Sequence, residues 1–319
     1  MSTEFDKDLR ELETKIEELK AFAKNKKMDM SAEIKKLEAK AEEERKRVYG
    51  NLGAWQVVQL MRHPARPRAL DYCERLFTDW MEIHGDHMQA DDKSIITGFG
   101  KLEGRAVAVM GSQKGRDTKE NLYRNFGMAQ PEGYRKALRF MRLAEKFKLP
   151  IVSFIDIMGA YPGIEGEERS VAEAIARNLA EMSLFQVPIV VTVIGEGGSG
   201  GAIGIGVGDR VLMLENGFYS VISPEGCAAI LWRDRGRAEQ AAEALKGTAK
   251  DLLRMKVVDE VVPEPLGGAH RDPAAAAASL KAVLIRHLDE LCQLDPTVLV
   301  DQRYAKYRAI GAWQGAGAA

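Results

Sequence analysis

The residues of this chain with the strongest claim to chemistry are glycines. Gly195, Gly197, Gly198, Gly200 and Gly201 crowd around Glu196 and Ser199. Glycine permits positive φ and leaves backbone N–H groups unscreened by a side chain. A cluster of this kind between a strand and a helix forms a pocket of donors for an anion or oxyanion. One donor aimed at charge that develops in a transition state is worth about 3 to 4 kcal/mol. Two other readings use the same residues. Glycines at such a junction also allow a helix to pack closely on a strand. Gly197-Gly198-Ser199-Gly200-Gly201 further fits G-x-S-x-G, the nucleophile elbow of serine hydrolases, in which Ser199 needs a base and an orienting acid.

Other groups are candidates around this cluster. Gly159-Ala160-Tyr161-Pro162-Gly163 is a second glycine-bearing turn. Lys114, Arg116, Lys119 and Arg124 concentrate positive charge in one polar segment, which suits phosphates or a carboxylate, or simply a solvated loop. Glu196 and Glu225 are the pair of carboxylates that would serve acid/base work. His270 and His287 are the histidines a nucleophilic Ser199 would require, and neither stands in a recognisable constellation. His84 and His87 lie three apart with Gly85 and Asp86 between them, which makes a loop, and no third ligand follows at metal-site spacing. Cys73, Cys227 and Cys292 are far apart and odd in number, so neither a disulfide framework nor a metal site in this chain is expected.

Strand and helix periods say how these residues are held. Ile189 to Ile194 is a run of β-branched residues, the composition of a strand buried on both faces, with a helix expected from Ala202. Glu132 to Phe147 carries Tyr134, Leu138, Met141, Ala144 and Phe147 at helical spacing; Ile151 to Ile157 reads as a buried strand; Val171, Ile175, Leu179 and Met182 mark the next helix. Successive βα units require a parallel sheet with right-handed crossovers, which places both glycine turns at one sheet edge. Upstream, Ser94 to Phe99 and Ala106 to Met110 read as strands of a hairpin turning at Glu103-Gly104, preceded by a helix over Ala69 to Met81. Downstream come strands at Val211 to Leu214, Tyr219 to Ile222 and Val257 to Val262, a helix over Ala238 to Met255, and an alanine-rich helix to about Leu294.

The first fifty residues differ in composition. Phe5, Leu9, Leu12, Ile16, Leu19 and Ala23, then Met30, Ile34, Leu37 and Ala41, step by threes and fours on either side of a polar break, predicting an antiparallel helical hairpin. The organisation is therefore an arm over 1–50, an α/β domain over 51–310, and a flexible Gly/Ala-rich tail over 311–319. A chain of 319 residues with 45% hydrophobic content can bury a full core. Its net charge of -1 gives no global attraction to nucleic acid or membrane. No apolar run approaches the roughly 18 residues of a membrane span, and the acidic start is unlike a signal peptide. A cytoplasmic protein is expected.

Several blocks, in order, carry a resemblance. Gly159-Ala-Tyr-Pro-Gly163, Glu167-Glu168-Arg169, Glu173-Ala-Ile-Ala-Arg-Asn-Leu179, Gly195-Glu-Gly-Gly-Ser-Gly-Gly-Ala202, Tyr219-Ser-Val-Ile-Ser-Pro-Glu-Gly-Cys227, Ile230-Leu-Trp232 and Pro263-Glu-Pro-Leu-Gly-Gly-Ala-His270 resemble the carboxyltransferase α subunits of bacterial acetyl-CoA carboxylase. The likeness covers nearly the whole chain. It departs from the usual pattern at Ile157-Met158, where Thr-Pro is common, and at Ser170-Val171, where Gly-Gln is common.

The resemblance implies a crotonase-like (ClpP-like) superhelix of ββα units, and transfer of a carboxyl group from carboxybiotin on a carrier protein to acetyl-CoA, giving malonyl-CoA for fatty-acid synthesis. It implies an α2β2 assembly with a β subunit that holds the zinc, alongside the biotin carboxyl carrier protein and biotin carboxylase, the latter alone using ATP. Gly200 and Gly201, with Ala202 beside them, would form the hole for the biotin ureido oxygen. Gly159, Ala160, Tyr161, Gly163, Gly197 and Gly198 would line the biotin pocket, and Lys114 and Arg116 would meet an anionic ligand.

Overall fold

The computed structural model of the chain describes residues 5–26 and 28–311. It opens with a helical hairpin, α1 (Lys7–Lys26) and α2 (Ser31–Tyr49). The apolar stripe of the hairpin is buried at Leu9, Ile16, Ala41 and Tyr49, which pack with Leu60 of α3 (Ala54–Met61). The base of the arm is thus built into the body. Tyr49 donates its hydroxyl to Asp6 at 2.8 Å, and Arg271 pairs with Glu13 at 2.8 Å.

Next come α4 (Ala69–Leu76), β1 (Thr78–Glu82), β2 (Ile95–Leu102) and β3 (Arg105–Ser112). The helix expected to reach Met81 stops at Leu76, and Thr78–Glu82 is a strand instead. Its residues are mostly exposed, and it is held by antiparallel pairing to β2, a long-range interaction that local periodicity does not encode. The β2–β3 turn falls at Glu103 and Gly104, whose φ values of 48° and 82° are both left-handed, as two-residue hairpin turns require.

The central units follow: α5 (Thr118–Tyr123), α6 (Pro131–Lys146), β4 (Ile151–Ile157), α7 (Ile164–Glu168), α8 (Val171–Met182), β5 (Ile189–Gly198) and α9 (Ser199–Ile203). β5 therefore runs through half of the glycine cluster, and the helix starts at Ser199 rather than Ala202. The chain continues with β6 (Arg210–Leu214), β7 (Phe218–Ser220), α10 (Pro224–Trp232), α11 (Ala238–Leu245), α12 (Ala249–Arg254), β8 (Glu260–Val262), α13 (Pro273–Leu291) and α14 (Pro296–Arg308). The single helix expected over Ala238 to Met255 breaks where Lys246 turns left-handed at φ 52° and Thr248 caps α12 by accepting from Asp251 N. β7 and β8 are shorter than their apolar runs. The expected tail lies, beyond Gly311, outside the described residues.

All eight strands form one sheet, in the order β1-β2-β3-β4-β5-β6-β8 with β7 also on β5. From β3 onward the pairing is parallel. Successive side chains feed two cores: Ile151, Ile155, Val191 and Val193 pack towards α6 and α8, while Val152, Phe154, Val190 and Ile194 pack towards α4 and α13. Burial on both faces explains the unbroken apolar runs. Parallel register then brings the ends of β4 and β5 together, with Ile157 opposite Gly197.

Candidate active site

The two glycine turns touch. A Cβ added at Gly201 would lie 2.5 Å from both Ala160 N and Gly159 C, and one at Gly198 would overlap the carbonyl of Met158. None of Gly195, Gly197, Gly198, Gly200 or Gly201 has positive φ; the left-handed residue is Ser199, at φ 52°. Freedom from a side chain, rather than left-handed backbone, is what this site demands of glycine. Gly200 differs, because a Cβ there meets only Ile175 Cδ1, at an ordinary 3.6 Å.

Because α9 begins at Ser199 with Gly198 as its N-cap, the N–H groups of Gly200 and Gly201 in its first turn lie ahead of the first intrahelical bonds. Gly200 is partly exposed, whereas Gly201 and Ala202 are buried. The carbonyl of Gly201 accepts from the Tyr134 hydroxyl at 3.3 Å. In the facing turn, Gly159, Ala160, Tyr161 and Gly163 are half-buried. Tyr161 is fixed at both ends: its N–H donates to Ala129 O at 2.9 Å, and its hydroxyl donates to Glu165 at 3.2 Å.

Behind the turns lies an ion network built from five separate segments. Lys114 Nζ sits 2.8 Å from Asp156 Oδ1 and 3.3 Å from Glu196 Oε2. Asp156 Oδ1 also accepts the Glu196 N–H at 3.0 Å, while the Ser112 hydroxyl accepts the Asp156 N–H at 2.6 Å. Arg62 then bridges Glu196 at 3.2 Å and Glu225 at 2.5 Å. Burial pulls the Lys114 pKa down, but the charges of Asp156 and Glu196 outweigh it and hold the ammonium above its usual value. Burial likewise raises Asp156, yet Lys114 reverses the shift and keeps the carboxylate ionised. The ammonium of Lys114 is thus committed to two carboxylates within the protein, while Arg116 is exposed and pairs with Asp71.

The alternative chemistries fare differently. Glu196 and Glu225 do come together, but on the guanidinium of Arg62; the Glu225 carboxyl, raised by burial and lowered more by Arg62, stays below its usual value, the wrong sign for an acid working near neutrality. Ser199 is exposed, and among the described residues no acid or base hydrogen-bonds to it. His270 stacks on His63 at 3.8 Å, and His287 bonds Glu260 at 2.8 Å. His84 bonds Asp91 at 3.0 Å. No cluster of three or more metal-binding side chains occurs among the described residues. Cys73 and Cys227 are buried thiols, and Cys292 is exposed.

Residues 2–311 match the family model described as acetyl co-enzyme A carboxylase carboxyltransferase-like. The chain belongs to this family. It is 56% identical over 308 residues to the acetyl-coenzyme A carboxylase carboxyl transferase subunit alpha of Syntrophotalea carbinolica, covering 96% of this chain and 97% of that one. Among solved structures, the transcarboxylase 12S core superposes with a TM-score of 0.53 at 20% identity, over 67% of this chain and 41% of that one. The β subunit of geranyl-CoA carboxylase from P. aeruginosa gives 0.54 at 15% identity, over 83% and 48%. The chain therefore spans less than half of either solved chain, and the likeness establishes a crotonase-like fold. Family blocks at Gly159–Gly163 and Gly195–Ala202 are the two turns found in contact. Arg62, Asp156 and the role of Lys114 escaped sequence reasoning; the available signal was an acid at the end of a fully buried strand, where a charge needs a partner.

Proposed function

We propose that this chain is the α subunit of an acetyl-CoA carboxylase carboxyltransferase, moving a carboxyl group from carboxybiotin to acetyl-CoA. The observation that carries this reading is the contact between two glycine turns at one sheet edge in a chain of this family. Carboxybiotin is the co-substrate and arrives on a carrier protein. As the carboxyl group leaves it, negative charge grows on the ureido oxygen, and the N–H groups of Gly200 and Gly201, with Ala202 beside them, stabilise that charge. Gly159, Ala160, Tyr161, Gly163, Gly197 and Gly198 shape the surrounding pocket. The Lys114–Asp156–Glu196–Arg62–Glu225 network fixes the two turns relative to each other. Arg116, the more exposed of the two basic residues, is the one open to an anionic ligand.

In this reading the acetyl-CoA enolate is held by a separate β subunit, in an α2β2 assembly that also carries the zinc. The biotin carboxyl carrier protein and an ATP-using biotin carboxylase complete the system, which works in the cytoplasm. No described helix is long and apolar enough to cross a membrane. The test is carboxyl transfer by the purified chain alone and after mixing with a β subunit, followed as malonyl-CoA formed from acetyl-CoA. Activity is expected only in the mixture. Robust transfer by the chain alone would overturn the shared-site reading.

A further inference from the structure

A second group of cationic side chains lies outside the glycine site. Pro64, Pro67 and Pro273, with Arg68, Arg75 and Arg116, wall a depression of about 250 Å³. One acidic residue arranges the three arginines. Asp71 in α4 accepts the Arg68 N–H at 2.8 Å through Oδ2, takes the Arg116 guanidinium on Oδ1, and accepts Arg75 Nη1 at 2.9 Å on its backbone carbonyl. Three cations therefore converge on Asp71, with the Glu120 carboxylate beside them accepting the Arg116 N–H at 2.8 Å, so arginines outnumber carboxylates here.

Arg68 is the most telling member. It is half-buried, yet among the described residues its guanidinium has no carboxylate within ion-pair distance and bonds only the Pro64 carbonyl, at 3.3 Å. Burial pulls its pKa down by more than the surrounding charges of Asp156, Asp71 and Glu120 push it up, the direction expected of a desolvated cation with no carboxylate in direct contact. Elsewhere this chain neutralises its buried arginines: Arg66 beside it is paired with Glu264, and Arg303 with Asp209. Proline holds φ fixed at Pro64 and Pro67, which narrows the conformations open to this wall. The N–H of Leu70 donates to Gln113 Oε1 at 2.9 Å, which ties this corner to the residue before Lys114 and so to the end of the sheet that carries the glycine turns.

We infer that Arg68, Arg75 and Arg116 form a binding site for a phosphorylated ligand. Guanidinium groups take phosphate oxygens through paired, charge-assisted bonds, and a depression of this size accepts a phosphate or diphosphate. Two sources share that chemistry. One is the nucleotide part of the CoA substrate, which rests on the carboxyltransferase reading above; the other is a free phosphorylated metabolite.

The test uses the full chain and two probes, inorganic pyrophosphate and adenosine 3′,5′-bisphosphate, with binding measured by calorimetry at fixed salt. Arg68→Gln and Arg75→Gln should each weaken pyrophosphate by about tenfold or more. Arg254→Gln, an exposed arginine outside the cluster, should bind as the parent does. Thermal unfolding of each variant separates lost binding from lost fold. Competition by adenosine 3′,5′-bisphosphate and CoA, with a raised apparent KM for acetyl-CoA in the mixed enzyme, assigns the site to the substrate. Pyrophosphate binding without such competition assigns it to a free metabolite, whatever the outcome of the carboxyl-transfer test. Failure of the parent chain to bind either probe, or equal binding by folded Arg68→Gln, overturns the site.

Discussion

Gly200 and Gly201 are neighbours in sequence but meet different surroundings, and this separates packing from chemistry. An added methyl at Gly201 would press on the backbone of Gly159 and Ala160, where nothing can give without moving the facing turn. At Gly200 it would make one ordinary contact with Ile175. Gly201→Ala is therefore expected to destabilise the fold by about 1 to 3 kcal/mol, the range for an overpacked site, and to slow carboxyl transfer by about 10²-fold or more, the scale of one lost oxyanion donor. Gly200→Ala should unfold like the parent yet still lower kcat, with apparent KM for acetyl-CoA changing far less. Denaturant unfolding and steady-state rates on the same preparations check both. A Gly200→Val chain with parental stability, assembly and turnover would remove Gly200 from the hole.

At the scale of elements, α14 holds the frame behind the site. Its Arg303 is 1% exposed and makes two bonds of 2.8 Å to Asp209, which is 3% exposed, while donating to the carbonyls of Met182, Phe185 and Val187. Asp209 in turn accepts the N–H of Ile189, the first residue of β5. One guanidinium thus joins the end of α8, the start of β5 and the C-terminal helix. Arg303→Ala leaves a buried carboxylate without its partner, and a loss of about 3 to 5 kcal/mol is expected. Arg303→Lys keeps the charge but not the paired geometry, so it should recover only part of that loss. Urea unfolding of the three proteins measures the order, and an Arg303→Ala chain as stable as its parent would contradict it.

Across the whole molecule, the arm, the α3–α4 loop and the segment before α13 meet at one place. His63 stacks on His270; Arg271 reaches Glu13 of the arm; Arg66 and Glu264 form a buried pair at 2.5 Å. Burial, then the nearby positive charges of His63 and Arg271, push the His270 pKa down from its ordinary 6.5 to about 4. Below pH 6.5 the unfolded chain takes up a proton here that the folded chain refuses until about pH 4. The unfolded state then binds more protons, so stability falls as pH drops through that window. Glu264, raised by burial but lowered more by Arg66, is depressed, so its own contribution is lost only at more acidic pH. Melting temperature should decline from pH 6.5 towards pH 4, and His270→Gln should flatten that slope. An unchanged slope in a folded variant would locate the proton uptake elsewhere.

Sequence alone determined what each segment does with its own apolar face. Runs rich in β-branched and apolar residues mark the buried strands Ile151–Ile157 and Ile189–Ile194, and periods of three to four residues mark the helix over Glu132–Phe147 and the hairpin arm, because side-chain direction repeats with the backbone. The βα alternation placed both glycine turns at one edge, and the Gly159–Gly163 and Gly195–Ala202 blocks pointed to the family. What tertiary structure decided is everything held by a distant partner. β1 exists because β2 pairs with it. Lys114 finds Glu196 across 82 positions, and Arg62 finds Glu225 across 163, so the partners of both cations are set far along the chain. Gly198 and Gly201 proved necessary for contact between the turns rather than for positive φ. Such contacts depend on strand register and on the path of the chain between the partners, and neither is written in the local spacing of residues.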